Sequence, residues 1–292
     1  MQPLVDSASK LITLLLLVAV GLDLTLGDFR RVRERPGMVT AGVLLPPLLL
    51  PPLAIALIEL VAPSPVIAAG LLLLAVCPIG GISNTYSMLA RASTALSVTL
   101  TAVSCAAALV TIPAATALLE RVWGHSSCYS APIMALVMQL LVVLVPPVVG
   151  GMLIRARWPA LATRHRPLVQ GIAFALLAAL LMLVIASGAG GAEIGWWSAV
   201  QLALAFVASA FLLGAVVGWL LGGRPADRFT FAAEFSTRNV AVALAIAMSV
   251  GGHREFVWFA AIYLAVEIPL LVLAAFVHRR RSAQEHARAE TA

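Results

Sequence analysis

The sequence is short of nearly everything a water-soluble protein shows to its solvent. Of its 292 residues only 11% are charged, against 62% hydrophobic, and mean hydropathy reaches +1.03. No soluble domain needs so much apolar surface, and the length suits one membrane domain. Lysine is almost missing. Lys10 is the only one, so the net charge of +6 rests on arginine. Those arginines lie in short loops between apolar runs, with no basic domain to receive a duplex, which excludes nucleic acid as a partner. The three cysteines, Cys77, Cys105 and Cys128, form neither a metal-ligand spacing nor a disulfide framework. Cys77 and Cys105 read as buried thiols, Cys128 as a residue of an external loop. The five histidines fall at span ends, in loops or in the tail, and neither H-E-x-x-H nor a nucleophile–base pair occurs. An enzyme is therefore not expected, nor an organic cofactor. The first apolar segment lacks a small-residue cleavage site and reads as a retained helix. The C-terminal Ser282–Ala292 reads as a short, charged, disordered tail.

What the sequence has in quantity is apolar runs. Nine are of the roughly 20 residues that cross a bilayer, at about 9–27, 38–61, 66–91, 93–119, 132–154, 167–187, 196–221, 229–250 and 255–277. The expected fold class is an all-α polytopic membrane protein with nine transmembrane helices. Basic residues favour alternate loops. Arg30, Arg31, Arg33 and Arg35 follow the first run; Arg155, Arg157, Arg164 and Arg166 follow the fifth; Arg224 and Arg228 follow the seventh. Arg279, Arg280 and Arg281 follow the ninth, and the second and sixth loops carry no base. The positive-inside rule then makes the odd-numbered loops and the tail (278–292) cytoplasmic and leaves the N-terminus outside, in an inner (plasma) membrane. Trp158, Trp196, Trp197, Trp219 and Trp258 fall near run ends and read as interfacial anchors. Asp23, near a cytoplasmic end, reads as a solvated carboxylate.

Two of the runs are broken by polar residues. In Cys77–Ser87, Pro78, Gly80 and Gly81 interrupt the helix, and Ser83 and Asn84 follow. In the next run Ser97 and Thr101 stand four apart on one face. The second break lies in Phe231–Ala247, which carries Glu234, Arg238 and Asn239 with Ser236 and Thr237 among them. Each ionisable group at membrane depth costs roughly 2.5–3.5 kcal/mol on insertion scales. On a continuous helix Glu234 and Arg238 would be i and i+4 and would pair. Hydroxyls, one amide and one carboxylate suit sodium, a hard cation. The plainer readings are hydrogen bonding between helices for Ser97 and Thr101, and a self-satisfied ion pair for Glu234 and Arg238. Glu267, in the last run, could pair with Arg238, carry a proton or meet a cationic group of a substrate. Its plainer reading is a carboxylate facing water at a cavity edge. The chain divides near residue 125 into four runs and five. Breaks at corresponding places in the two parts point to an inverted repeat with a site at the bilayer midplane.

These residues resemble the bile acid:sodium symporter family and its bacterial homologues. The resemblance is carried by VGLDLTLGDFRRV, by CPIGGISN with the LARASTALSVTLTAVS that follows, and by E-F-S-T-R-N. The family pattern C-P-G-G-x-x-S-N is departed from at Ile79. The resemblance implies a panel domain (about 9–27 and 132–187) and a core domain (about 38–119 and 196–277) with two broken, crossing helices. It implies a first sodium site at Ser83, Asn84, Ser97, Thr101 and Glu234. The family's second site is a different matter. Its pattern E-V-x-M-Q-N has a Gln where this chain has Arg238, and its other Gln aligns with Pro46. A guanidinium about 4 Å from a cation would repel it by several kcal/mol at intermediate dielectric. One Na⁺ at most is therefore expected, with Arg238 as a fixed positive charge in place of the second. Asn239 keeps the family residue, and Glu267 aligns near a polar position by the substrate. The expected function is secondary transport of a small organic anion by a monomer in the lipid bilayer. The alternatives are a sodium-independent carrier of the same fold, proton-coupled or facilitative, and an exporter of the arsenite-carrier type, to which Cys77 would be relevant.

Overall fold

Wherever the chain is described, its apolar runs are helical, except at the breaks 77–82 and 237–239 and at a few run ends. The computed structural model describes residues 2–23, 30–123, 144–186, 195–250 and 255–290, and single residues at 25, 27, 138, 141 and 142. Cys128, His253 and, within the run expected at 132–154, residues 132–137, 139, 140 and 143 lie outside the described residues. The helices are α1 (Gln2–Asp23), α2 (Pro36–Val61), α3 (Pro65–Val76), α4 (Ser83–Leu89), α5 (Thr94–Trp123) and α6 (Val145–Arg157). They continue with α7 (Pro159–Ala186), α8 (Trp196–Leu220), α9 (Pro225–Ser236), α10 (Val240–Val250) and α11 (Glu255–Glu290). Among the described residues Pro36–Val61, Thr94–Leu118, Trp196–Leu220 and Trp258–Gln284 are long and apolar enough to cross a membrane. Leu11–Asp23 and Pro65–Val76 are shorter apolar helices. Helices that satisfy their own backbone, sheathed in apolar side chains, make a multi-pass membrane protein.

Two expectations about loops do not hold. The basic stretch at 155–166 is helical apart from Trp158, because Ala, Leu and Arg favour helix and Pro159 sits at a first helical position that needs no N–H. The tail is helical, not disordered, as far as Glu290. α11 runs on to Glu290 through Ala, Gln, Glu and Arg, all strong helix formers. Near its end His278 stacks on Phe229 at a ring separation of 4.7 Å.

α1 packs against α6 and α7, and α8 packs along α9. α1 meets α6 backbone to backbone. A Cβ on Gly21 would lie 2.2 Å from the Val148 carbonyl oxygen, so only glycine permits the approach. The tryptophans divide. Trp158, Trp197 and Trp219 are exposed at helix ends, as interfacial anchors should be. Trp196 and Trp258 instead turn inward and meet edge to face, ring centroids 5.0 Å apart. Trp258 is buried, which corrects the anchor reading for that residue, while Trp196 is half-buried at the start of α8.

Candidate functional site

The two broken runs become helix pairs, and their breaks lie against each other. Pro78 offers no N–H and drives Cys77 before it into an extended conformation, which ends α3. Thr237 is likewise extended and ends α9 at Ser236. The two extended segments exchange backbone hydrogen bonds. Gly80 N–H donates to the Thr237 carbonyl at 3.1 Å, and Asn239 N–H donates to the Pro78 carbonyl at 2.9 Å. Ile79 N–H donates to Ser104 Oγ of α5 at 3.0 Å. Tyr263 of α11 donates its hydroxyl to the Ser236 carbonyl. The side chain of Asn239 accepts from Val242 N–H at 3.2 Å and so caps α10. Backbone groups freed by both breaks are thus taken up by protein, as a membrane interior demands.

Beside the crossing, five oxygen-bearing side chains from three helices converge. Ser97 of α5 donates to Asn84 Oδ1 of α4 at 2.8 Å and to Glu234 Oε1 of α9. Thr101 lies 3.4 Å from both Asn84 Oδ1 and Glu234 Oε2, and 3.5 Å from Ser83 Oγ. All five side chains are buried, Glu234 completely. The group has one carboxylate, one amide and three hydroxyls. Among the described residues no cluster of three or more His, Cys, Asp or Glu exists that would favour a transition metal.

Arg238 does not pair with Glu234. The i, i+4 geometry fails because α9 stops two residues before the arginine. Arg238 Nη2 donates instead to the Cys77 carbonyl at the end of α3, putting a positive charge at the negative end of a half-helix. Its Nε and Nη1 have no hydrogen-bond partner, and neither has Asn239 Nδ2. Among the described residues no carboxylate comes within ion-pairing distance of Arg238, so it does not pair with Glu267 either. Glu267 faces no water at a cavity edge. It is fully buried on α11, near Tyr86, Thr237 and Arg238.

Arg238 and Asn239 line a cavity between the crossing and α1, together with Asp23, Gly81 and Gln170. Its volume is 40 Å³, room for a few waters at roughly 10–15 Å³ each, where pockets for small molecules span roughly 300–1,000 Å³. At its rim Asp23 pairs with Arg166 of α7, and Arg155 of α6 donates to the Leu22 carbonyl at 3.0 Å. Asp23 is therefore an ion-pair partner, not a solvated carboxylate. The pairing joins residues 143 positions apart, which no local pattern announces.

A second polar knot, missed in the sequence, lies at the start of α9, outside the run expected at 229–250. Asp227 is almost fully buried. It accepts from Arg35 Nη1 at 2.9 Å, from Arg224 N–H at 3.2 Å and from the Ser93 hydroxyl. Burial raises its carboxyl, but the hydrogen bonds from Ser93, Arg35 and the Arg224 backbone more than offset this. The carboxyl sits below the usual carboxylate range. The signal was an acid three residues after Arg224, in the first turn behind Pro225.

Residues 11–192 match the family described as Sodium Bile acid symporter family. The Glu234–Asn239 half of the crossing lies beyond that stretch. The chain is similar to the probable sodium/metabolite cotransporter BASS1, chloroplastic, of Arabidopsis thaliana, 29% identical over 79% of this chain and 56% of that protein. It is 38% identical to the probable sodium/metabolite cotransporter BASS2, chloroplastic, of Oryza sativa subsp. japonica over 36% of this chain and 25% of that protein. It is 29% identical to the uncharacterized sodium-dependent transporter YocS of Bacillus subtilis (strain 168), over 54% of this chain and 49% of that protein. The chain thus spans about half the length, or less, of these curated relatives.

Proposed function

Given that the chain belongs to the sodium bile acid symporter family, we propose that it is a secondary active transporter of a small organic anion, coupled to at most one Na⁺. The observation that carries this reading is the meeting of Ser83, Asn84, Ser97, Thr101 and Glu234 beside two crossed helix breaks. A sodium ion there would take the one carboxylate and the neutral oxygens as ligands, binding α4, α5 and α9 together and biasing the conformational equilibrium. The sodium-dependent relatives support the same choice of ion. Arg238 stands in for a second sodium: its guanidinium already occupies the Cys77 carbonyl at the crossing.

The substrate reading follows from the same charge. Arg238 and Asn239 present unpartnered donors beside the cavity, where an organic anion would find them. The cavity is too small for such a guest, so the panel (α1, α6, α7) must part from the core for it to enter, which is alternating access. The arginine-rich stretches between and after the apolar runs support an N-terminus outside and a cytoplasmic C-terminus in the plasma membrane, and the five oxygen ligands proposed for sodium all come from one chain, which supports a monomer.

The test is thermal unfolding of the purified protein in Na⁺ against K⁺. Wild type is stabilised by Na⁺ with a Hill slope near one, and Glu234→Ala loses the effect. A slope near two overturns the single-ion reading; no sodium effect overturns the coupling.

A further inference from the structure

Glu267 takes no part in the oxygen cluster around Glu234. With Glu234 it is one of two carboxylates fully buried at membrane depth among the described residues. Neither of its oxygens has a hydrogen-bond partner. The hydroxyls of Tyr86 on α4 and Thr237 at the second break face it as donors, short of full hydrogen-bond geometry. The positive charge that reaches it is Arg238. Arg238 in turn lines the cavity, with Nε and Nη1 free, while Glu267 does not line it. One guanidinium therefore stands between a buried carboxylate and a cavity suited to an anion.

We propose that Glu267 is a proton-binding site coupled to the anion site at Arg238, so that an anion entering the cavity is accompanied by a proton on Glu267. This rests on the reading of that cavity as an anion site. With the cavity empty, the charge of Arg238 stabilises the Glu267 carboxylate. When an anion takes Nε and Nη1, the carboxylate loses its counter-charge, keeps only the neutral hydroxyls of Tyr86 and Thr237 beside it, and takes up a proton. The step is a plain proton transfer. A solvent proton (hydronium), relayed by water that reaches the crossing, is transferred to the carboxylate, which becomes the acid and leaves neutral water behind, and anion and proton cross as a neutral pair. The coupling is reciprocal: acidification tightens anion binding.

The other groups around Glu267 do not compete for this role. Tyr86 faces it from α4, and Tyr263 lies one turn earlier on α11. From the α9 break come Thr237 and Arg238, and Arg238 also feels the charge of Glu234. Cys77 at the end of α3 likewise meets the charge of Arg238. α8 and α10 carry no titratable side chain. The charges of α7, Arg164, His165 and Arg166, lie in its first turns.

The experiment is difference infrared spectroscopy on the purified full chain, following the carbonyl stretch of buried carboxylic acids against pH without added substrate. Wild type shows such a band that disappears in Glu267→Gln, persists in Glu234→Gln, and returns displaced in Glu267→Asp, which also shows that the fold survives. In Arg238→Gln the Glu267 band persists to higher pH, by about one pH unit or more. Isotope-labelled acetate, as a minimal carboxylate probe, enlarges the Glu267 band at fixed pH in wild type. The absence of a Glu267 band at any pH overturns the proton site. A band unmoved by Arg238→Gln or by acetate overturns the coupling. Sodium addition to the same samples reads the Glu234 band instead, so failure of the sodium site is seen separately.

Discussion

The crossing predicts that two adjacent glycines will behave differently. A Cβ on Gly80 would lie 2.7 Å from the Arg238 carbonyl oxygen, 3.1 Å from its carbon and 3.2 Å from Thr237 Cγ2. Two of these are backbone atoms and cannot swing aside. Alanine at 80 must therefore push the two breaks apart, and the bonds lost are those that join them, Gly80 N–H to Thr237 and Asn239 N–H to Pro78. Leaving two buried backbone pairs unmade costs about 1–3 kcal/mol each, or about 2–6 kcal/mol together. On a chain of this size that lowers the melting temperature by at least about 4 °C, at about 2–4 °C per kcal/mol. A Cβ on Gly81 meets Val20 Cγ2 at 3.3 Å and Asp23 Oδ2 at 3.7 Å, both side-chain atoms on the cavity wall, and reaches backbone only at Val20 Cα, 4.0 Å away in ordinary contact. Gly81→Ala should keep wild-type stability and narrow the cavity, so its defect appears in transport into proteoliposomes. Thermal unfolding by intrinsic fluorescence separates the two. Gly80→Ala melting with wild type, or Gly81→Ala melting as low as Gly80→Ala, would refute the crossed-break geometry.

Ser97→Ala removes the hydroxyl that links Asn84 to Glu234, and sodium titration of its melting should show affinity weakened by about tenfold or more, the loss of about 1.4 kcal/mol that one charged-group hydrogen bond supplies. Tyr263→Phe strips the Ser236 carbonyl of its donor and should destabilise by about 1–3 kcal/mol in chemical unfolding, with sodium affinity unchanged. Asp227→Asn loosens the knot of Arg35, Ser93 and Arg224, at a cost of about 1–2 kcal/mol, because both arginines are largely exposed and their share is screened. Its pH dependence has a definite sign: the folded carboxyl is depressed, so its contribution is present above the unfolded value of about 3.9 and is lost as pH falls through the lower folded value. The melting difference between wild type and Asp227→Asn should thus hold steady from neutrality to about pH 4 and close below it.

The expected polar residues were found because hydroxyls, amides and carboxylates stand out in an apolar sequence, and Ser83, Asn84, Ser97, Thr101 and Glu234 do meet in space. Both breaks were legible from Pro78, Gly80 and the charges at Glu234 and Arg238. Less legible was where the side chains would point. The pairing of Glu234 with Arg238 assumed a helix through Arg238, and that helix stops at Ser236. The Tyr263–Ser236 and Arg166–Asp23 contacts join distant parts of the chain and leave no local periodicity. Asp227 carried a readable cap signal but was hidden among the loop charges, which were counted for topology and not for structure.

Arg238 shows why residue identity and position have to be weighed together. By identity it is a burdensome charge at membrane depth, and a helical reading gives it Glu234 as a partner. By position it sits one residue past an extended break, where α3 ends with its carbonyls exposed and its dipole negative. A cation belongs at such a point, and it can be an ion or a side chain. The guanidinium reaches the Cys77 carbonyl and still leaves two nitrogens free. A bound sodium could leave the site during the transport cycle, whereas a side chain cannot. On the proposed single-ion reading, a permanent charge at the crossing takes the place of one dissociable ion in the coupling, and the proposed anion and the carboxylate of Glu267 are the two groups that would answer that charge.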